Sequence, residues 1–253
     1  MDLGLNGKSV LITGGTKGIG RHTALIFAEE GAKVAICARD SAGVSETVEA
    51  LKAKGATAIG RAVDVGNKHS LSSWVKDCAA VFGGIDMVVA NVSALAVGED
   101  EASWDAGFNI DMMHSVRLVN AALPYLEKSD AASITLISSV SGREIDFTGP
   151  AYGAFKAALV HYAQGQAVKL APKGIRANTV SPGNTYFKGG VWNSIQDNNP
   201  ALFEDALAMN PMGRMARPEE IARGVVFLAS PASSFTTGTN LVIDGALTKG
   251  VQL

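Results

Sequence analysis

A short apolar run, Val10-Leu11-Ile12, opens into Thr13-Gly14-Gly15-Thr16-Lys17-Gly18-Ile19-Gly20 and then into a helical stretch. Glycines so spaced serve a tight turn between a strand and a helix, where backbone can approach a phosphate and the helix's first amides face it. Such loops also serve as plain turns, so this one gains its meaning from the elements downstream. Six more strand-like runs come after it: Lys33–Cys37, Ala58–Val63, Asp86–Asn91, Ser133–Ser138, Arg176–Val180 and Asn240–Ile243. Several are unbroken Val/Ile/Leu/Ala runs, which suits parallel strands covered on both faces. Helical stretches lie between them, at about 18–30, 43–54, 68–82, 101–128, 152–171 and 218–229. The alternation predicts the α/β class: a Rossmann-type doubly wound parallel sheet of about seven strands. No linker or composition break divides residues 1–253, so one domain is expected.

One region departs from the rhythm. Between Pro182 and Pro218 the chain is rich in Gly, Asn, Pro, Met and aromatic residues, with one short helical piece near Ala201–Met209. It is too long for an ordinary connection. Excursions at the carboxyl ends of strands build ligand sites in such sheets, so a substrate lid is expected over about 184–217.

Hydrophobic residues make up 47% of the chain and charged residues 18%, enough apolar material for a sizeable core. The net charge is −2 with no basic stripe, which argues against a nucleic-acid partner. Cys37 and Cys78 lack ligand spacing and read as buried thiols in a reducing compartment. His22, His69, His114 and His161 are scattered singly, reading as surface or helix-packing residues, and no metal site is expected. The N-terminus has no secretion-signal core and no run approaches a membrane span, so a cytoplasmic protein without membrane partners is expected.

The chemistry concentrates in three places. Tyr152 and Lys156 stand four apart, on one face of a helix. Ser138-Ser139 ends the apolar run just upstream. A phenol beside an ammonium and a hydroxyl can move a proton, and behind a dinucleotide turn that set reads as hydride transfer to a carbonyl. At the tip of the second strand stand Ala38 and Arg39, with Lys17 in the glycine turn. A carboxylate there takes the ribose hydroxyls of NAD, whereas cations favour the extra phosphate of NADP(H). Asp40, two residues past Ala38, is the alternative ribose partner.

Several motifs in order carry a resemblance over the whole chain. They are Thr13–Gly20, Asp64-Val65 after the third strand, Ser139 thirteen residues before Tyr152, Tyr152-Gly153-Ala154-Phe155-Lys156, Ser181-Pro182-Gly183 and Asp244-Gly245. In these the chain resembles the short-chain dehydrogenase/reductase family, in its single-domain, 3-oxoacyl-reductase-like, NADP(H)-dependent branch. The resemblance implies a cofactor site on Gly14, Thr16, Lys17, Gly18, Ile19, Gly20, Arg39, Asp64, Val65, Asn91, Pro182, Gly183 and Thr185, shared with Tyr152 and Lys156. Asp64 is then expected at the adenine amino group, with Val65 packed beside the ring. Tyr152 is implied as general acid and base. Lys156 holds the nicotinamide ribose and assists the phenol by its charge, and Ser139 polarises the carbonyl. Helices near 101–128 and 152–171 pair across a two-fold axis in the family, with a second interface at the C-terminal strand. A homotetramer is therefore expected, with a dimer as the fallback.

Two departures from the family pattern stand out. The fourth strand ends Ala90-Asn91-Val92-Ser93 in place of Asn-Asn-Ala-Gly, which puts Ser93 beside the cofactor. Asp111 stands thirteen residues before Pro124, where the family carries an asparagine that steadies a helix kink and a water next to the lysine. Asn109 competes for that place, but the spacing favours Asp111, expected near Lys156 through water. The substrate pocket is expected from Ser93, Ser141, Glu144, Phe147, Tyr186, Phe187, Val191 and Trp192. Its aromatics favour a substrate with an apolar or aromatic group. A 3-oxoacyl thioester, a steroid, a polyol and a small aryl ketone all fit.

The expectation is an NADP(H)-dependent oxidoreductase of small-molecule ketones and secondary alcohols. Two alternatives share the scaffold: a non-catalytic NADP(H) sensor, for which Asp111 speaks, and an isomerase or dehydratase.

Overall fold

A computed structural model describes residues 1–251; residues 252 and 253 of the expected domain lie outside the described residues. Seven strands, β1 (Ser9–Thr13), β2 (Lys33–Ala38), β3 (Ala58–Ala62), β4 (Met87–Ala90), β5 (Ser133–Ile137), β6 (Arg176–Pro182) and β7 (Asn240–Ile243), form one sheet. Every pairing is parallel, in the order β3-β2-β1-β4-β5-β6-β7. The order reverses between β1 and β4, which opens a crevice at their carboxyl ends.

Helices cover both faces: α1 (Gly18–Glu29), α2 (Ser41–Ala53), α3 (Lys68–Phe82), α4 (Glu101–Ala106), α5 (Met113–Leu126), α6 (Pro150–Leu170), α7 (Val191–Asn198), α8 (Pro200–Ala208) and α9 (Pro218–Ala229). Strand periodicity divides the core in two. Leu11, Val88 and Leu136 point to α3, α5 and α6, while Val10, Ile12 and Val89 point to α1, α2 and α9.

The strands stand within two residues of their sequence positions; three helical expectations change. The stretch 101–128 is not one helix, because a π-helical segment, Gly107–Met112, separates α4 from α5. The second helix starts at Ser41, because both Asp40 oxygens accept the first backbone amides, from Ala42 and Gly43. The 184–217 excursion holds two helices where one short piece was expected. α7 and α8 share a small core of Trp192, Phe203, Ala206 and Met215. Its two ends meet at a neck, where Tyr186 N donates to Ala216 O at 2.9 Å and Ala216 N to Asn184 O at 2.8 Å. Among the described residues no helix is long and apolar enough to cross a membrane.

Candidate active site

The glycine turn is built for close approach. Gly14 and Gly18 take positive φ, 67° and 49°. A Cβ on Gly20 would run into the Gly14 carbonyl oxygen and would stand 2.5 Å from Asn91 Nδ2. Asn91 Nδ2 donates to Thr13 O at 3.2 Å and Gly14 O at 3.1 Å, which ties the end of β4 to the turn. The first turn of α1 has no side-chain cap. Its free amides face the crevice, as a pyrophosphate requires. Ile19 lines the cleft beside Lys17 and Gly18. Thr16 lies on the outer side of the turn, toward Gly43 at the start of α2.

At the tip of β2, Arg39 is exposed, as is Lys17. Among the described residues neither is in an ion pair. Asp40 caps α2 through both oxygens but stays exposed with acceptor positions left, so it remains the alternative ribose partner beside the cations Arg39 and Lys17. Asp64 is exposed, and its Oδ1 accepts from Gly66 N at 2.9 Å. Val65 departs from expectation: it is buried with the core under α3, so its side chain is not the wall of an adenine site.

The proton-moving residues meet on β5 and α6. Ser139 caps the 3₁₀ turn Val140–Gly142, and Ser138 Oγ donates to Lys156 O at 2.7 Å, fastening the end of β5 to α6. The turn seats directly on α6. A Cβ on Gly142 would stand 2.7 Å from the Ala157 nitrogen. Ser139, Tyr152 and Lys156 thereby line one cleft of about 450 Å³ together with Pro182, Gly183 and Thr185. Thr185 Oγ1 folds back to donate to Gly183 O at 3.0 Å.

Lys156 is buried, with its ammonium 5.4 Å from the Tyr152 ring centre. It donates to Ile137 O at 3.1 Å and pairs with Asp111 Oδ1 at 3.1 Å, both side chains being 2% exposed. The pair is direct, where a link through water was expected. Burial opposes the ammonium, but the charges of Asp111 and Tyr152 outweigh it and raise the Lys156 pKa. Only the bond to Ile137 O has hydrogen-bond geometry; Asp111 Oδ1 meets the ammonium as an ion pair without a hydrogen bond, so N–H groups remain for a ribose hydroxyl. Asp111 Oδ2 accepts from Ala94 N at 3.1 Å, so the carboxylate also pins the segment after β4. It reaches both partners from the π segment, a distortion often found at functional sites. Asn109 turns away to Arg117, at 2.7 Å.

A buried imidazole supports this arrangement. His114 Nδ1 donates to Ile110 O at 3.1 Å, which leaves Nε2 to accept the Thr13 hydroxyl at 2.9 Å. Burial pushes its pKa down to about 4. The ring links the π segment to the glycine turn and is neutral at pH 7.

The pocket differs from expectation at three residues. Ser93, Ser141, Phe147, Val191 and Trp192 line the cleft. Phe187 also lines it but at the cofactor end, with its ring against Gly18. Tyr186 faces the small α7–α8 core and donates to Gln196 Oε1 at 2.6 Å. Glu144 accepts the amides of Lys249 and Gly250, at 3.0 and 3.1 Å, and holds the C-terminal segment instead. Leu95, Val97, Asp146, Thr148, Asn184 and Ile195 also line the cleft, and no sequence period marks them. Leu95 holds a positive φ of 51°, a strained position for its residue type.

Known proteins share this architecture. A family model described as enoyl-(acyl carrier protein) reductase matches residues 14–248. The isoepoxydon dehydrogenase patN of Penicillium expansum is 43% identical over 253 residues, spanning 98% of each chain. The solved structure of L-sorbose reductase from Gluconobacter frateurii, complexed with NADPH and L-sorbose, aligns with a TM-score of 0.90 at 27% identity, covering 99% of this chain and 100% of that one. The NADPH-bound short chain oxidoreductase of Pseudomonas aeruginosa PAO1 aligns with a TM-score of 0.89 at 28% identity, covering 96% and 98%.

Proposed function

The chain belongs to the short-chain dehydrogenase/reductase family, and we propose that it is an NADP(H)-dependent oxidoreductase interconverting a ketone and a secondary alcohol. The observation that carries this reading is one cleft in which Ser139, Tyr152 and the buried Lys156–Asp111 pair adjoin the glycine turn. NADP(H), when bound, supplies or accepts the hydride. Gly14, Gly18, Gly20 and the uncapped start of α1 would hold its pyrophosphate, and Arg39 and Lys17 the 2′-phosphate. The NADPH in the sorbose reductase and Pseudomonas structures supports that choice.

The chain's own residues do the rest. Ser139 turns its one hydroxyl proton from Ser141 Oγ to the substrate oxygen as negative charge develops there. Tyr152 gives that oxygen its proton in reduction and takes it back in oxidation. Lys156 holds its ammonium 5.4 Å from the Tyr152 ring centre and offers an N–H to the nicotinamide ribose. The neck at Asn184–Tyr186 and Ala216, with Val191, Trp192 and Ile195 of α7 lining the cleft, supports reading the α7–α8 unit as a lid. We further read the assembly as a homotetramer, with a dimer as the fallback.

The test is cofactor consumption against a panel of ketones. Wild type oxidises NADPH with at least one of them and uses NADH less well. Tyr152→Phe still binds NADPH but loses roughly 10²–10⁴-fold in kcat. Cofactor binding without turnover of any ketone or alcohol would replace this reading with a sensor. Product formed with no net redox change would replace it with an isomerase.

A further inference from the structure

The loop between Ser139 and Tyr152 places in the cleft an acid that this chemistry does not use. Asp146 Oδ2 accepts from Ser141 Oγ at 2.6 Å. Its Oδ1 accepts from Thr148 N at 2.9 Å and from Thr148 Oγ1 at 2.6 Å. Ser141 Oγ in turn takes the Ser139 hydroxyl at 3.1 Å. A carboxylate has about four acceptor positions, so three donors leave one open, on an exposed side chain that lines this cleft and the neighbouring groove beside Glu144 and Ile145. Among the described residues no cation pairs with Asp146, and Lys156 is held by Asp111. The other wall is apolar: Phe147, Val191, Trp192 and Ile195. Trp192 is fixed edge-on against Phe147, with ring centres 5.2 Å apart.

A molecule filling this cleft meets hydroxyls and a carboxylate on one side and rings on the other. We infer that Asp146 accepts a hydrogen bond from a hydroxyl of the substrate, and that the substrate class is an uncharged hydroxy ketone and its reduced diol. The inference rests on the oxidoreductase reading, which places the carbonyl at Ser139. Asp146 stands two hydrogen bonds from that serine, a spacing that suits a hydroxyl one or two carbons from the carbonyl. A ketone without the hydroxyl leaves the open acceptor to water, and a keto acid brings a like charge against it. Hydrogen bonds to charged groups are strong enough for a preference of roughly ten-fold or more.

Three probes test it: α-hydroxycyclohexanone, cyclohexanone and oxocyclohexanecarboxylate. In wild type, kcat/KM is expected to be highest for the hydroxy ketone, by roughly ten-fold or more over cyclohexanone, and lowest for the keto acid. Asp146→Ala brings the first ratio toward one and relieves the discrimination against the keto acid. Asp146→Asn, which keeps an acceptor oxygen without the charge, retains part of the first and loses the second. Equal values for the hydroxylated and plain ketones in wild type, or an unchanged ratio in Asp146→Ala, would overturn the assignment. If no ketone turns over, calorimetric binding of α-hydroxycyclohexanone to the NADP⁺-loaded protein separates the two ideas. Binding that weakens in Asp146→Ala upholds the assignment while the oxidoreductase reading falls. No binding, or equal binding in both proteins, rejects the assignment itself.

Discussion

Two buried residues on consecutive turns, Asp111 and His114, respond to pH at different levels, the first at the site and the second in the fold. Asp111 lies directly on the Lys156 ammonium, so its charge partly cancels the field of that ammonium at Tyr152. Asp111→Asn keeps an oxygen for the Ala94 amide and removes the charge. Activity is expected to survive, and the acidic limb of kcat/KM for alcohol oxidation, measured across pH 6–10, should move to lower pH. A limb displaced upward would contradict this role, and complete loss of activity would mean that the carboxylate itself is required. His114 governs stability instead. Unfolded, its imidazole takes a proton near pH 6.5; folded, near pH 4. Above both values neither state is protonated and nothing is lost. Between them only the unfolded chain binds the proton, so stability falls as pH drops, by about 3 kcal/mol once pH is below 4. Urea midpoints from pH 7 to 4.5 should therefore fall more steeply for wild type than for His114→Asn. Parallel lines would show that other groups drive the acid loss.

Helices and strands divide by how they are held. The inner strands β1, β4, β5 and β6 were legible because they are buried apolar runs with neighbours on both sides, whereas the edge strands β3 and β7 are only partly buried; the spacing of Ser139, Tyr152 and Lys156 was legible because one helix and one strand end carry it. α7 was not legible. Val191–Asn198 comes after two glycines, is rich in asparagine, and is held by Trp192 and Ile195 packing on the small lid core. The π segment leaves no period to read, and Asp111 stood out only against a family pattern. Asp146 carries no sequence signal, because its link to Ser139 runs through space. The lid's separate core also makes a prediction. Trp192 touches Phe147 and Phe203, with ring centres 5.2 and 6.5 Å away, and belongs to neither main core. Trp192→Ala should loosen residues 187–213 alone: proteolysis there speeds up and the substrate KM rises several-fold, while the thermal midpoint barely moves. Unchanged cleavage and KM would mean that the α7–α8 unit is a fixed cap.

At the scale of the molecule, two surfaces remain that one copy does not cover. α6 buries Lys156, Leu159, Ala163 and Ala167 against the sheet, yet Val168 on its other side is 71% exposed. A groove beside it runs along Ala157, Val160, Gly165 and Val168. Nearby, Trp104 and Phe108 flank Phe155, with ring centres 5.7 and 6.3 Å from it, and both flanking rings are exposed. The second surface is the open edge at β7, whose four residues are all half-buried, beside a fully exposed Phe235. An unpaired strand edge and a contiguous apolar face are both surfaces that association covers. Each can be self-complementary about its own two-fold axis, and two such axes make a tetramer. Light scattering at micromolar concentration should give a tetramer mass for wild type. Val168→Glu places a charge in the α6 groove, which Asn240 at the start of β7 also lines, and Phe235→Glu places one beyond it, so each should shift the mass from tetramer toward dimer. The double variant should be monomeric. A wild-type monomer would refute both the tetramer and the dimer, and a wild-type dimer that only Val168→Glu dissociates would place the assembly on the α6 face alone.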